Sequence, residues 1–325
     1  MIDVLNLALP FFGLIALGYI AGKWSDLPEI GLAWMNFFLI YVALPCLFYR
    51  VLAQTPFEEL SNAPFVIGTT LSTFAVFVVS FLIGMAIRHG NAAESAIVGI
   101  AGAYGNVGYM GPGLALATLG ATAAPPVALI FCFDSVLAFA LVPLLMAVAG
   151  AERGGALATV LRIVRQIVFH PFLLAAGLGI LSAALHFEPP VALDRLMQYL
   201  QNAAAPCALF TLGVTVALRP VERMPWEVPP AIAVKLVVHP AIVLVVLSAI
   251  AVLTGAAFSR TWVYTAVLMA ALPPALNVFV MARQYETWVE QASGCVLFGT
   301  LASVVTLVAV MWLVQVNALP VNIFR

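Results

Sequence analysis

The residues best placed to do chemistry in this chain are amides and main-chain groups beside prolines. The stretch Gly105-Asn106-Val107-Gly108-Tyr109-Met110-Gly111-Pro112-Gly113 lies inside a long apolar run. Its glycines and Pro112 should unwind a helix, because proline removes a main-chain hydrogen bond and clashes with the preceding turn. Ala271-Leu272-Pro273-Pro274-Ala275-Leu276-Asn277 interrupts a second apolar run in the same way. If two such breaks cross, half-helix N-termini meet at one point. Their unpaired N–H groups and partial positive charge suit a carboxylate. Asn106 and Asn277 would add neutral amide donors; for each taken alone, a satisfied interhelical hydrogen bond is the plainer explanation. Gly105, Asn106, Val107, Gly108 and Tyr109 from the first break, with Pro273, Pro274 and Asn277 from the second, are the candidate substrate contacts.

Two ionisable residues lie deep in apolar runs. Asp134 is about ten residues into one, where a central Asp costs ~2.5–3.5 kcal/mol on insertion scales and needs a partner or a hydrated cavity. Lys235 is about seven residues into another, where it either snorkels to the surface or serves function. If the two meet, Asp134 is a counter-ion; if they do not, it takes up and releases a proton. Arg50 and Arg283 sit near the ends of runs and read as snorkelled, solvated groups. His170 and His239 each precede a proline and read as packing histidines. Metal-ligand spacing, a phosphate-binding loop and an HExxH are absent, so neither a metal nor another cofactor is implied, nor ATP-driven pumping by this chain alone. An intramembrane enzyme would need two facing acids or a Ser/His pair at one depth, and neither is found.

The elements that position these residues follow from composition. Of 325 residues, 64% are hydrophobic and 8% charged; an ordinary soluble domain carries about 25% charged residues. With a mean hydropathy of +1.11, this is an integral membrane protein, with the lipid bilayer as its solvent. A net charge of −1 argues against nucleic acid as a partner. Long continuous runs favour helices over a barrel, and about ten crossings of ~20–25 residues would use most of the chain. Cutting at polar clusters, prolines and glycines gives spans of 4–22, 31–53, 64–88, 94–120, 124–149, 166–187, 191–218, 228–254, 261–284 and 288–316. Met1-Ile2-Asp3 lacks a basic leader, so the first run is read as a retained helix. Cys46, Cys132, Cys207 and Cys295 sit in apolar runs and read as small core residues.

With the N-terminus external, Lys23, Arg88, Arg153, Arg162, Arg165, Arg219, Arg223 and Arg283 fall inside. Arg50, Arg195, Arg260 and Arg325 fall outside. The excess on the inner side favours both termini external or periplasmic in a multi-pass protein of the cell (inner) membrane.

Sliding the chain against itself by 161 residues superposes Pro10 on Pro171, Pro28 on Pro189, Pro45 on Pro206, Pro64 on Pro225 and Pro112 on Pro273. From 21 prolines in 325 residues, fewer than one coincidence is expected by chance. Five helices per half would bring the second half into the membrane from the other side. Inverted repeats with discontinuous helices near the midplane are characteristic of secondary transporters. The glycines at 99, 102, 105, 108 and 111 fit close helix packing at 99 and 102, and fit it poorly beyond.

Four stretches carry a family resemblance: Leu9-Pro10-Phe11 through Leu17-Gly18-Tyr19, Tyr41-Val42-Ala43-Leu44-Pro45, the Gly105–Gly111 break, and Pro273-Pro274-Ala275-Leu276-Asn277-Val278-Phe279-Val280-Met281-Ala282-Arg283-Gln284-Tyr285. The chain resembles the auxin efflux carrier family, which holds the plant PIN-FORMED exporters and bacterial malonate and malate permeases. The resemblance implies an all-α membrane protein of ten helices in two inverted five-helix repeats with crossed broken helices, like the bile-acid symporter and sodium/proton antiporter folds. It implies scaffold helices in 1–63 and 151–224, often dimerising, and transport helices in 64–150 and 225–325 that slide as an elevator.

In relatives similar to the plant exporters, an asparagine after the first crossover proline holds a substrate carboxylate. Asn106 matches it, with Gly105 in place of the proline. Pro274 stands where the plant pattern has a polar residue, and Asn277 follows three residues later. In that register Gly105-Asn106 pairs with Pro273-Pro274. The connection between halves is short, as in bacterial members. A small organic anion such as malonate, malate or an auxin-like acid is the expected substrate. A sodium- or proton-coupled symporter or antiporter of the same fold is the alternative, and a passive pore a remoter one.

Overall fold

A computed structural model describes residues 2–25, 29–150, 156–218 and 224–324. Pro28 of the proline repeat, and Arg153, Arg219, Arg223 and Arg325 of the loop charges, lie outside the described residues, as does Met1. Among the described residues every regular element is helical, with no β-strand. The helices run α1 (Ile2–Trp24), α2 (Leu32–Phe38), α3 (Leu44–Ala53), α4 (Phe57–Leu60), α5 (Ala63–Ile87), α6 (Ala92–Ala103), α7 (Gly111–Leu119) and α8 (Ala124–Val148). They continue as α9 (Ala156–Val168), α10 (Pro171–Leu185), α11 (Val191–Ala217), α12 (Val228–Ala233), α13 (His239–Thr254), α14 (Arg260–Ala270), α15 (Leu276–Gln284) and α16 (Val289–Gln315).

Among the described residues, six helical stretches are long and apolar enough to cross a membrane: Leu32–Ala53, Phe57–Ile87, Ala121–Val148, Val191–Ala217, Val228–Thr254 and Val289–Gln315. A seventh is added if Val160–Val168 and Pro171–Leu185 count as one broken span. The runs 94–120 and 261–284 are each divided, as their glycines and prolines lead one to expect. The 12 residues of α6 reach only ~18 Å at 1.5 Å per residue, short of a ~30 Å hydrocarbon core. The chain is a multi-pass membrane protein.

By contact the chain divides into two compact units. The first holds Met1–Asn62, Gly108–Cys132 and Phe169–Pro220. In it α1 and α11 approach backbone to backbone through glycines. A Cβ on Gly18 would lie 2.1 Å from the Phe210 carbonyl oxygen, and one on Gly213 would lie 2.0 Å from that of Ile15. Small residues of this kind let apolar helices gain dispersion contact where hydrophobicity supplies no drive. The rings of Phe48 and Phe131 stack with centroids 3.9 Å apart, and the Tyr49 and Ser182 hydroxyls join α3 to α10 at 2.9 Å. Arg50, read from sequence as a snorkelled group, is instead buried. Its Nε donates to Asp194 Oδ1 at 2.8 Å and Nη1 to Gln201 Oε1 at 2.6 Å. A fixed carboxylate and amide on the neighbouring α11 satisfy the guanidinium better than a frayed hydrated end would.

The second unit holds Ala63–Val107, Phe133–Val168 and Val221–Arg325. Here α5 packs along α6. Gly84 lies over Ser95, Gly99 over the Phe77 ring and Gly102 over Ser80. Asn91 caps α6, its side chain accepting from the Glu94 N–H at 3.1 Å. Glu94 in turn accepts from the Arg88 guanidinium, whose Nη1 also donates to Glu227 Oε1 at 2.9 Å. The Glu94 hydrogen bond raises the Arg88 pKa further above neutrality, so three helix ends share one permanently charged clamp.

Candidate functional site

Both interrupted helices break where the sequence places glycine and proline. Helix α6 ends at Ala103 and α7 begins at Gly111, with Pro112 in its first turn. Helix α14 ends at Ala270 and α15 begins at Leu276. In the second unit the two breaks are hydrogen-bonded to each other. Asn106 N–H donates to the Pro273 carbonyl at 2.8 Å and Ala275 N–H to the Tyr104 carbonyl at 3.1 Å. Gly105 and Pro274 face each other as an isolated antiparallel bridge. Gly105-Asn106 thus lies opposite Pro273-Pro274, and main-chain groups freed by Pro273 and Pro274 find partners on the other break, as burial demands. The Pro274 ring seats against Gly299 of α16, where an added Cβ would come within 2.6 Å of its Cδ.

The structure therefore brings Gly105, Asn106, Val107, Pro273 and Pro274 together. Val107 is buried, its N–H turned back to the Gly105 carbonyl. Asn277 stands half-buried in the first turn of α15. Gly108 and Tyr109 belong to the first unit and are half-buried there, with Gly108 lying against the Phe131 ring. The side chain of Asn106 is only 2% exposed, and its Nδ2 has no hydrogen-bond partner. A buried donor left unmade carries a penalty of about 1–3 kcal/mol.

Beside the crossing lies a polar cluster in an otherwise apolar interior. Lys235 occupies a π-helical turn, Val234–Val238. Such turns are frequent at functional sites, and this one precedes Pro240, which offers no N–H to the helix ladder. The lysine does not snorkel, being fully buried. Its ammonium donates to the carbonyl of Ala270, the last residue of α14, where a cation offsets the negative end of the half-helix dipole. Gly105 makes room for it: a Cβ there would sit 3.1 Å from both Cε and Nζ.

Lys235 Nζ lies 3.0 Å from His239 Nδ1. His239 Nε2 lies 3.5 Å from Thr73 Oγ1, and Thr73 Oγ1 donates to Asp134 Oδ1 at 2.9 Å. Asp134 and Lys235 are not directly paired; Thr73 and His239 stand between them. Tyr104 OH and Ser135 Oγ meet at 3.1 Å nearby. His239 is buried, as its reading as a packing histidine expects, and has partners on both ring nitrogens; Thr73 is not singled out by the sequence. The one signal in the sequence was the i, i+4 spacing of Lys235 and His239, which places them on one helix face. Among the described residues, no group of three or more His, Cys, Asp or Glu could hold a metal ion.

The chain matches the membrane transport protein family over residues 3–311. It is 47% identical over its whole length, and over the whole length of the relative, to a protein of Rhizobium meliloti (strain 1021) named "Putative malonate transporter". A Methanothermobacter thermautotrophicus (strain Delta H) protein named "Uncharacterized transporter" is 25% identical over 90% of this chain and 93% of its own. "Auxin efflux carrier component 8" of Arabidopsis thaliana is 28% identical over 52% of this chain and 46% of its own.

Proposed function

Because this chain belongs to the membrane transport protein family, we propose that it is a secondary carrier of small organic anions, with the substrate carboxylate held at the crossed breaks. The single observation that carries this reading is the buried, unpartnered Asn106 amide beside the crossing. Identity of 47% to a relative named for malonate supports a short mono- or dicarboxylate over an auxin. The reading includes ten crossings, counting α1, the broken pair α9–α10 and the divided helices α6–α7 and α14–α15 as one span each. Two inverted five-helix repeats then follow from the proline alignment and the odd number of helices per half. With the loop charges, it puts both termini outside the inner membrane.

Substrate passage is by elevator motion of the unit that carries the crossing, while the other acts as scaffold and as the seat of a homodimer. The clustering of residues 63–107 and 221–325 in one unit, and of 1–62 and 169–220 in the other, supports that division, whereas 108–132 and 151–168 cluster opposite to it. The Asn106 amide and the Lys235 ammonium are suited to hold an anion. The test is counterflow in proteoliposomes with a panel of carboxylates including malonate and malate, under imposed sodium and pH gradients. Saturable exchange of at least one carboxylate supports the carrier. Large currents without counterflow would replace it with a pore.

A further inference from the structure

With Lys235 as an ammonium and Asp134 as a carboxylate, the hydrogen bonds between them can all point the same way. An ammonium has three donors and no acceptor, so His239 Nδ1 must accept from Lys235 and carry no proton. The imidazole proton then sits on Nε2 and faces Thr73 Oγ1. The Thr73 hydroxyl, accepting on that side, has its own proton free for Asp134 Oδ1, to which it donates. The chain from nitrogen to carboxylate runs from the π turn through α13 and α5 to α8.

We propose that Lys235, His239, Thr73 and Asp134 form a proton relay that makes the carrier take up one proton with each monovalent anion; this deepens the carrier reading above and rests on it. One shift along the chain breaks the Lys235 N–H bond and forms Nδ1–H on His239. It also breaks Nε2–H to form a new Thr73 O–H bond, and breaks the old Thr73 O–H bond to form Asp134 Oδ1–H. The ammonium and carboxylate become amine and carboxylic acid, with no change in net charge. A proton added from water to that neutral chain restores the ammonium while Asp134 stays protonated, leaving a net charge of +1.

That charge matches a monoanion on Asn106, because Lys235 lies against Gly105, the neighbouring residue of the break. An uncompensated ion inside the membrane is costly, so the occupied site favours the extra proton and the empty site releases it. Anion and proton are thereby carried together or not at all. Lys235, His239 and Asp134 are all at most 4% exposed, so the relay is closed to water in this conformation.

No other described charge faces the relay from the helices around it. Helices α5 and α12 carry no titratable side chain. Glu94 of α6 is paired with Arg88. In α14, Arg260 bonds Asn317 and the Tyr264 hydroxyl donates to the Leu319 carbonyl. Arg283 of α15 is exposed, and α16 offers only exposed Glu290 and the thiol of Cys295. Tyr104, from the first break, is turned to Ser135. The longest link, His239 to Thr73, is where the relay can be cut with least disturbance, since Thr73→Val removes the hydroxyl and keeps the shape.

The experiment compares wild type, Thr73→Val, Thr73→Ser and His239→Gln in proteoliposomes. It measures labelled malonate counterflow without gradients, at an external pH between the two malonate pKa values where the monoanion predominates, and net uptake driven by an inward proton gradient, with a trapped pH dye following the protons. Wild type should show gradient-driven uptake with acidification of the lumen. In Thr73→Val the ratio of gradient-driven uptake to counterflow should fall by roughly a hundredfold, the low end of what a positioned proton-transfer group contributes. Thr73→Ser, which keeps the hydroxyl, should restore it. Should Thr73→Val not fold, His239→Gln is judged by the same ratio.

Wild-type net uptake that ignores the proton gradient or follows sodium instead, or a gradient response retained in Thr73→Val, overturns the relay and leaves the carrier standing. Absence of exchange with every carboxylate in wild type overturns the carrier and the relay together.

Discussion

Replacing Asn106 by Ala should weaken anion binding without weakening the fold. The side chain is 2% exposed with an Nδ2 that makes no hydrogen bond, so the empty site already bears a desolvation penalty of about 1–3 kcal/mol. Truncation removes that penalty and some packing contacts together. The net change in stability should stay within about 1 kcal/mol of zero, since deleting an unsatisfied buried group offsets the loss of its contacts. Binding tells a different story. A hydrogen bond from the amide to a carboxylate contributes about 1.5–3 kcal/mol, so Kd should rise roughly tenfold to a hundredfold. Asn106→Asp should do worse, because two unit charges ~4 Å apart repel by about 4 kcal/mol at an effective dielectric of 20, roughly a thousandfold in Kd. Malonate titration calorimetry on detergent-purified protein, paired with thermal unfolding of the unliganded variants, separates the two effects. A large fall in unliganded stability with unchanged malonate affinity would show that Asn106 is a structural amide, and the argument from its orphaned donor would collapse.

Three further outcomes follow from buried charges and close helix contacts. In the first unit, Asp194→Ala strands Arg50, whose side chain is 9% exposed, whereas Arg50→Ala leaves Asp194 at 35%. Thermal unfolding should therefore show Asp194→Ala as the more damaging by about 1–2 kcal/mol, since an unpaired charge costs most where it is least hydrated; equal losses would contradict it. Lys235→Met should destabilise by roughly 3–5 kcal/mol because it leaves Asp134 without a compensating cation. Adding Asp134→Asn should recover part of the loss, and a double-mutant cycle with coupling under about 0.5 kcal/mol would mean the two are not linked through His239 and Thr73. Gly213→Ala places a methyl 2.0 Å from the Ile15 carbonyl oxygen, so α1 and α11 must part, at about 1–3 kcal/mol or more; size-exclusion profiles and unfolding temperature equal to wild type would refute that contact.

What the sequence made legible was whatever glycine and proline dictate locally. Asn106 and Pro273 could be assigned to helix breaks because a proline or a run of glycines destroys a helix whatever surrounds it. Gly99 and Gly102 could be assigned to close packing because a small side chain in an apolar helix has few other uses. Arg50 departs from its expected solvated position, and Lys235 could not be decided between snorkelling and function, for one common reason: the fate of a long polar side chain depends on what another helix places opposite it. Arg50 is satisfied by Asp194 and Gln201, more than 140 residues away in sequence. Lys235 is satisfied by Ala270 O, a carbonyl released only because α14 stops there.

The breaks and the charges are thus one structure. Ending α14 at Ala270 exposes a negative helix end that draws the ammonium inward, and the bare backbone of Gly105 leaves the space it occupies. His239 stands one turn beyond the lysine with Nδ1 3.0 Å from its Nζ, and Thr73 donates its hydroxyl to Asp134. Lys235 is legible in the sequence as an ionisable residue deep in an apolar run; the Ala270 carbonyl, His239, Thr73 and Asp134 gather around it only in the folded chain.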